Sequence, residues 1–306
     1  MKKFIVRVIT FVILVMAADQ AVGYIGDYMI ANVKSGRDAE IKHICFESKY
    51  DVIILGSSRA CHHYVSSIIE DSLYLNGSRN SCYNAGFDGN GVILMYSFLK
   101  QILERYSPKL IVYDVEPSFD YSVYHDDNNR KRYIDNLKPY YMNQTFMEIV
   151  NDIDENSYLK CMSGFYRYNC KLIQVYFEYK NSSDEHIRMK GYKPLEGSIN
   201  GATSAVDRSE AEKDTTKIKY LKQLIELSKF KGIPLVLAAS PKYKPQDYQK
   251  IKEIEAISKN YGIPFIDMYL DEEFQDKNLF KDTSHLNNLG AEEFTKKIVR
   301  YINKIL

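Results

Sequence analysis

The hydrophobic and polar positions along most of the chain alternate between two kinds of segment. Short apolar runs bounded by turn residues are typical of buried strands, and apolar residues at a spacing of three or four are typical of helices. The pattern predicts strands at 51–55, 82–85, 110–115, 235–239 and 264–267. It predicts helices at 59–71, 92–106, 210–231, 246–261 and 288–305. Buried strands separated by helices indicate an α/β fold with a parallel, doubly wound sheet of five strands.

This alternation is interrupted after the third predicted strand. Residues 117–208 are rich in Tyr, Asn and Asp, and they are too numerous for one loop in a compact domain. They predict an inserted helical subdomain, with short helices near 142–154 and 166–179. The chain is therefore divided into an N-terminal segment, 1–33, and an α/β domain, 45–306, that is interrupted by the insertion 117–208.

The N-terminus has the pattern of a targeting segment. Lys2 and Lys3 precede an apolar run over residues 4–18 that is broken only by Arg7 and Thr10. A basic flank followed by an apolar run predicts either a signal peptide or a signal anchor with the rest of the chain outside the cytoplasm. An ordinary N-terminal core helix is the third interpretation.

The length of the apolar pattern favours an anchor that is retained. Small residues near position 17 would permit cleavage, and the protein would then be secreted. However, amphipathic residues continue to Ile30, and a helix of that length would extend about 40 Å, enough to span a bilayer. Asp19 would then lie near the outer interface, because a carboxylate is costly in hydrocarbon. The sequence thus predicts a membrane-anchored protein of the cell envelope.

Composition excludes several classes of function. Lys+Arg total 41 and Asp+Glu 40, so the balanced charge gives no support for binding nucleic acid. The 5 cysteines contain no Cys-x-x-Cys pair, which favours free buried thiols over a zinc or redox motif. The His62-His63 pair is interpreted as solvated or capping. No nucleotide-binding glycine motif occurs. We therefore predict no metal and no cofactor.

Residues suited to hydrolysis follow several of the predicted strands. Ser58 closes Gly56-Ser57-Ser58 after the first strand, a glycine-containing turn that includes Gly89 follows the second, and Glu116-Pro117-Ser118 follows the third. Asp282 and His285 precede the last helix. Ligands of open parallel sheets bind at the carboxyl ends of the strands. These residues are therefore expected to meet at one edge.

Their chemistry predicts a catalytic triad. Ser58 would be the nucleophile, His285 the general base, and Asp282 the group that orients the imidazole. The backbone N–H groups of Ser58 and Gly89 would stabilise the oxyanion. Ser57 is the competing nucleophile. The alternative without catalysis is that these serines cap a helix and that His285 forms a hydrogen bond at the start of another.

At these residues the chain resembles the SGNH (GDSL-like) hydrolase superfamily. Its members carry Gly-Asp-Ser after the first strand, Gly after the second, Gly-x-Asn-Asp after the third, and Asp-x-x-His near the C-terminus. This chain has Gly56-Ser57-Ser58, residues 84–89 (NAGFDG) and residues 282–285 (DTSH) in three of these four places. The resemblance covers about 51–115 and 235–305. It implies a three-layer α/β/α flavodoxin-like SGNH fold and acyl-ester chemistry.

Two departures from the superfamily pattern bear on activity. Ser57 stands where the superfamily has Asp, which is not the nucleophile. Ser118 falls where the Asn donor of the oxyanion hole is expected, and its shorter hydroxyl would make that hole weaker. One missing donor typically costs about 3 kcal/mol of transition-state stabilisation.

An anchored chain with a Gly-Ser-Ser block is most similar to the extracytoplasmic branch of the superfamily, which includes alginate-type O-acetyltransferases and the D-alanine transfer protein of teichoic acid synthesis. The resemblance therefore implies a serine esterase or O-acyltransferase that acts on acyl groups, expected to be acetyl, of a cell-surface polysaccharide. The implied partners are the glycan or another acyl ester, the membrane, and a membrane protein that donates acyl groups. The alternative is a catalytically degenerate SGNH-fold protein that serves in envelope assembly or binding.

Overall fold

The structure is a computed structural model that describes residues 1–75, 77–123, 133–169, 171–181, 187, 189–199 and 211–305. Its central sheet has the strands β1 Val52–Gly56, β2 Cys82–Asn84, β3 Leu110–Asp114, β4 Leu235–Ala239 and β5 Phe265–Asp267. The helices in this part of the chain are α1 Lys2–Ala31, α2 Gly36–Lys42, α3 Ser58–His63, α4 Ser66–Ser72, α5 Val92–Arg105, α6 Pro117–Asp120, α7 Gln144–Ile153, α8 Ser157–Cys161, α9 Gly164–Tyr168, α10 Leu172–Lys180, α11 Thr215–Phe230, α12 Tyr248–Asn260 and α13 Asn288–Ile305. A π-helical turn spans His43–Glu47, 3-10 turns span Lys138–Tyr140, Glu272–Phe274 and Lys277–Leu279, and a small hairpin pairs Tyr74–Leu75 with Ser78–Arg79.

All five predicted strands are present in the sheet, and most of the predicted helices are found. The helix predicted from residue 210 begins instead at Thr215, because the carboxylate of Asp214 accepts the backbone N–H groups of Thr216 and Lys217 and so caps the helix. Residue 210 itself lies outside the described residues.

The prediction of one continuous helix over 59–71 is wrong. Two helices, α3 and α4, are separated at Tyr64 and Val65. The Val65 N–H donates to the hydroxyl of Thr295 at 3.0 Å instead of continuing the α3 ladder. The Asn84 amide donates to the carbonyls of Ala60 and Tyr64 at 2.6 and 2.9 Å. Side chains distant in sequence therefore take up the backbone groups that an uninterrupted helix would pair. The predicted helix 166–179 is likewise divided into α9 and α10.

The sheet confirms the predicted fold class. Its strand order is β2-β1-β3-β4-β5, and all neighbours are parallel. This is the flavodoxin-like order of doubly wound sheets. Helix α13 packs on α3 and α4, whereas α11 packs on α5, so helices flank the sheet in two groups. The result is a three-layer α/β/α domain.

Alternation along the strands builds the two core layers. Val52, Ile54 and Val112 are fully buried in one cluster, which also contains Phe294 and Ile298 of α13. The intervening residues of β1, such as Ile53, point to the opposite face of the sheet because successive strand residues alternate. A run in which every strand residue is buried is typical of a central parallel strand covered on both faces.

The structure divides into two compact units, one of residues 1–42 and 129–184 and the other of residues 43–128 and 185–306. This division does not test the domain boundaries predicted at 33, 45, 117 and 208, which stay a prediction. In the first unit the second half of α1 packs against α9 and α10. A Cβ on Gly164 would lie 2.3 Å from the backbone nitrogen of Gly23, so α1 and α9 approach too closely there for any other residue.

The first half of α1 differs from a core helix. α1 is long and apolar enough to cross a membrane by length and composition, and the side chains of its most apolar stretch are exposed. Phe4, Phe11 and Leu14 are each more than three-fifths exposed, with fractions of 70%, 67% and 63%. The helix is therefore compatible with an anchor or a signal sequence, whereas a buried N-terminal core helix does not fit.

Candidate active site

The nucleophile candidate lies at the turn between β1 and α3. Ser58 is the first residue of α3 and follows Gly56, the last residue of β1. Gly56 has φ +150°, and a Cβ there would lie 2.7 Å from the carbonyl oxygen of Asp114 and 2.8 Å from the Cβ of Ala60. Only glycine fits this position, and it allows the chain to turn directly from the strand into the helix. Ser58 is consequently held at the carboxyl edge of the sheet.

Asp282 and His285 share one short loop before α13. The Oδ1 atom of Asp282 accepts the backbone N–H groups of Ser284 at 2.8 Å and His285 at 3.0 Å. The carbonyl of His285 accepts the N–H of Lys281 at 2.8 Å, and Phe280 pairs with Leu286 across the loop. These bonds fix the Asp-x-x-His turn through its own backbone, so its two functional side chains have a defined spacing.

The structure brings Ser58, His285 and Asp282 together. His285 Nε2 lies 2.8 Å from Ser58 Oγ, and His285 Nδ1 lies 2.9 Å from Asp282 Oδ2. A carboxylate can only accept, so Nδ1 of the neutral imidazole carries the proton and donates to Asp282. Nε2 is therefore the acceptor for the Ser58 hydroxyl. This is the geometry that a general base and its orienting carboxylate require.

Asp282 is held in its charged form. Partial burial acts to raise the pKa of this carboxyl, but the hydrogen bond from His285, the charge of His285 when it is protonated, and the backbone N–H groups of Ser284 and His285 outweigh it and lower the pKa. Its side chain is 53% exposed, and that of His285 is 23% exposed. The site therefore combines a persistent carboxylate with direct access from solvent.

His63 forms a hydrogen bond to the loop that carries Asp282 and His285. It is fully buried, its Nε2 accepts the N–H of Leu286 at 2.9 Å, and its Nδ1 lies 2.9 Å from the hydroxyl of Ser240. Because Nε2 accepts, Nδ1 carries the proton and donates to Ser240. Burial, with the positive charge of Arg59, lowers the pKa of His63 well below its usual range, so it stays neutral. The interpretation of His62-His63 as solvated or capping is wrong for His63.

A buried polar network continues from His63. Ser240 donates its hydroxyl to Asp114 at 2.9 Å and accepts from the guanidinium of Arg59, which also donates to its carbonyl. Arg59 pairs with Glu116 at 2.6 Å and stacks on the ring of Tyr269 at 4.7 Å. Burial raises the pKa of Asp114 to about 6, although Arg59 and its hydrogen-bond donors act in the opposite direction.

This network was not predicted from the sequence, although the sequence contains one signal for it. Arg59 is adjacent to Ser58, while Asp114 and Ser240 each end or directly follow an apolar strand. A charged or hydroxyl residue at the end of a fully buried strand marks the same edge of the sheet. Glu116 lies just after β3, and its carboxylate forms an ion pair with Arg59 of α3.

The three residues expected at the oxyanion hole lie on three different elements, and Ser58 is the one at the start of α3. Gly89 is exposed in the turn after β2 and has φ +70°. The neighbouring Asp88 lies 3.2 Å from His62 Nε2, and the rings of His62 and His285 are 5.3 Å apart, so this turn is attached to the site through His62. Ser118 is buried in α6, and its carbonyl accepts from Lys217. A role for Gly89 or Ser118 in binding the oxyanion stays a prediction.

Ser57, the competing nucleophile, has a different environment. Its side chain is fully buried, and its Oγ has no hydrogen-bond partner among the described residues. His285 therefore contacts Ser58 Oγ and not Ser57 Oγ. Within the same residues no cluster of three or more His, Cys, Asp or Glu side chains is arranged to hold a metal. Cys45, Cys82 and Cys161 are buried free thiols, whereas Cys170 lies outside the described residues.

No family model and no curated protein matches the sequence. Among solved structures, the chain is similar to a Desulfitobacterium hafniense protein assigned to the G-D-S-L family of lipolytic proteins, with 10% identity, a TM-score of 0.40, and coverage of 84% of this chain and 99% of that one. A Bacteroides fragilis protein assigned as an acylhydrolase matches with 12% identity, a TM-score of 0.37, and coverage of 82% and 87%. A Streptococcus pneumoniae protein assigned as a platelet activating factor matches with 10% identity, a TM-score of 0.38, and coverage of 97% and 99%. Likenesses at such TM-scores are distant. The fold assignment therefore rests on the strand order, and the proposed chemistry rests on the site.

Proposed function

We propose that this protein is a serine esterase or O-acyltransferase of SGNH type. The observation that supports this most strongly is the chain of hydrogen bonds from Ser58 through His285 to Asp282, with distances of 2.8 and 2.9 Å. A serine that only caps a helix needs no imidazole on its hydroxyl. A histidine that only binds at a helix start needs no carboxylate on its other nitrogen. Both contacts are needed together when a serine is activated as a nucleophile.

The reaction follows from these contacts. Ser58 Oγ attacks the carbonyl carbon of the ester and gives its proton to His285 Nε2, and Asp282 stabilises the imidazolium that forms. The imidazolium then protonates the departing alkoxide, which leaves an acyl group on Ser58. Water or an acceptor hydroxyl next gives its proton to His285 Nε2 and attacks the acyl carbon. The imidazolium then returns this proton to Ser58 Oγ as the acyl–oxygen bond breaks, which restores the free serine and the neutral imidazole. Hydrolysis and transfer differ only in this second attacking group.

The substrate class is proposed from the exposure of the site and from the motif resemblance. The side chains of Asp282 and His285 are partly exposed, so the site is open to solvent. A small acyl group can therefore reach the reacting atoms while it is attached to a bulky carrier. We propose an acetyl ester of a cell-surface polysaccharide, with α1 as a retained anchor and the α/β domain outside the cytoplasm. N-terminal sequencing of the membrane fraction tests retention of the anchor, and a mature chain that begins near Asp19 would contradict it.

Labelling with a fluorophosphonate probe tests the chemistry directly. The full-length chain in detergent is expected to gain one adduct, measured by intact mass. Ser58→Ala and His285→Ala are expected to abolish labelling, and Ser57→Ala is the matched control because its Oγ does not contact His285. If Ser57→Ala alone lost the label, the nucleophile assignment would be wrong. If the folded parent chain took up no label, the esterase proposal would be contradicted and a role in envelope assembly or binding would remain.

A further inference from the structure

An apolar surface lies beside the point where α1 changes from exposed to packed. Leu159, Met162 and Phe165, here called the apolar platform, are 66%, 56% and 51% exposed. Leu159 is in α8, Met162 ends that helix, and Phe165 is in α9. Residues three apart in a helical turn share a face, so Leu159 and Met162 lie on one side. Three large apolar side chains that point outward in a short segment require a reason.

Hydrogen bonds fix the platform at the level of Asp19 in α1. Asp19 Oδ1 accepts the hydroxyl of Ser163 at 2.6 Å and the backbone N–H of Phe165 at 2.9 Å. The amide of Gln20 donates to the carbonyl of Met162 at 3.4 Å. The close approach of Gly164 to Gly23 holds α9 against the same part of α1. The platform and Asp19 therefore share one position along the helix axis.

The length of the apolar run places that position at the membrane boundary. Lys3 and Asp19 are sixteen residues apart, which is about 24 Å of helix. The hydrocarbon core of a bilayer is about 30 Å thick. When Lys3 lies at the inner interface, the outer boundary therefore falls just beyond Asp19. The donors from Ser163 and Phe165 supply the hydrogen bonds that water cannot give a carboxylate at that depth.

We propose that the apolar platform inserts into the outer interface of the bilayer and forms a second membrane contact beside α1. Aromatic and long apolar side chains at this level are typical of interfacial anchors. The inference rests on the proposed anchoring by α1, whose exposed apolar stretch leads directly to the platform. It adds that the subdomain of α8 and α9 lies on the lipid surface and is not merely tethered above it.

Quenching of tryptophan fluorescence tests this proposal, because the chain contains no tryptophan and each variant therefore carries a single one. Each single Trp variant of the full-length chain is reconstituted in phosphatidylcholine vesicles, with and without bromine on the acyl chains. Phe165→Trp reports the platform, and Phe11→Trp reports the proposed span. Phe177→Trp in α10 is the matched control. Its side chain is 65% exposed, and nearby Tyr179 contacts Tyr28, about 14 Å beyond Asp19 along α1.

The proposal predicts that brominated lipid reduces the emission of Phe11→Trp and Phe165→Trp but leaves that of Phe177→Trp unchanged. Quenching at Phe11→Trp without quenching at Phe165→Trp would overturn the platform and leave the anchor intact. No quenching at Phe11→Trp would overturn the anchor and, with it, the platform. Equal quenching at Phe165→Trp and Phe177→Trp would contradict the assigned depth.

Discussion

Replacing Asp282 by Asn is expected to remove catalysis while leaving the loop in place. Asp282 Oδ1 accepts two backbone N–H groups, from Ser284 and His285, and the amide oxygen of Asn can keep both. The amide nitrogen must then replace Oδ2, and His285 Nδ1 lies 2.9 Å from Oδ2 and 3.0 Å from Oδ1. Because Oδ1 already accepts two backbone N–H groups, the new amide N–H is expected to donate to Nδ1, and the imidazole then carries its proton on Nε2. The nitrogen beside Ser58 then donates and can no longer accept the serine proton.

The expected loss can be bracketed from the site. A charge-assisted hydrogen bond is worth about 1.5–3 kcal/mol, and water screens a carboxylate that is 53% exposed, so its loss alone lowers kcat by roughly 10²-fold at most. The tautomer change has a larger effect, about 10⁴-fold in proteases with the same arrangement. We therefore expect kcat for an activated acetyl ester to fall by roughly 10²–10⁴.

Initial rates with 4-nitrophenyl acetate, together with thermal unfolding, measure this. Asp276→Asn is the matched control because the carboxylate of Asp276 also accepts a backbone N–H, that of Asn278 at 2.9 Å, without contacting His285. The control is expected to keep the kcat and the Tm of the parent chain. An Asp282→Asn variant with the parent kcat and an unchanged Tm would show that Asp282 does not orient the base.

Three further predictions follow from the contacts around the site. His63→Phe leaves the Leu286 N–H without a hydrogen-bond acceptor, so it is expected to lower the free energy of unfolding, measured in urea, by about 1–3 kcal/mol. Because Leu286 adjoins His285, the same variant is expected to reduce kcat. An unchanged kcat would show that His63 does not position the loop of His285. Ser118→Ala is expected to cost less than the roughly 10²–10³-fold of a strong oxyanion donor, whereas Ser118→Asn is expected to raise esterase activity; a loss as severe as that of Ser58→Ala would contradict a weak donor. Asp120 accepts the backbone N–H of Glu116, the ion-pair partner of Arg59, and burial raises the pKa of its carboxyl from 3.8 to about 7. Its ionisation therefore opposes folding, and the free energy of unfolding falls by about 4 kcal/mol as the pH rises from about 4 to about 7. Asp120→Asn should weaken this dependence of the free energy of unfolding on pH, measured by urea titration at several pH values. An equal pH dependence in both chains would refute the raised pKa of Asp120.

Local pattern was sufficient to predict the strands and the site motif. The apolar runs of β1, β3 and β4 are buried at every position, and this burial is visible as composition. Ser58 was identifiable because it follows the end of β1, and Asp282 and His285 because they form an Asp-x-x-His pattern in the loop before α13. The parallel topology places the strand ends at one edge of the sheet, and the turn held by Asp282 brings His285 to Ser58 there.

Contacts between residues distant in sequence could not be predicted in this way. The break between α3 and α4 depends on Thr295, which is 230 residues from Val65. The burial of His63 depends on Ser240 and Leu286, 177 and 223 residues away. Similarly, the pattern of α1 gave no indication that Gly23 would pack on Gly164. In each case one side chain, or the absence of a Cβ, determines the local structure. The hydrophobic periodicity of the sequence carries no information about such contacts.

In the proposed reaction Ser58 carries the acyl group between the first and the second attack. Incubation of the full-length chain with an activated acetyl ester, acid quenching and intact-mass measurement followed by peptide mapping test this directly. One acetyl group is expected on Ser58 of the parent chain; it should be absent from His285→Ala and retained in Ser57→Ala. An acetyl group found on another residue, or a folded chain that hydrolyses the ester faster than buffer without any requirement for Ser58, would contradict it.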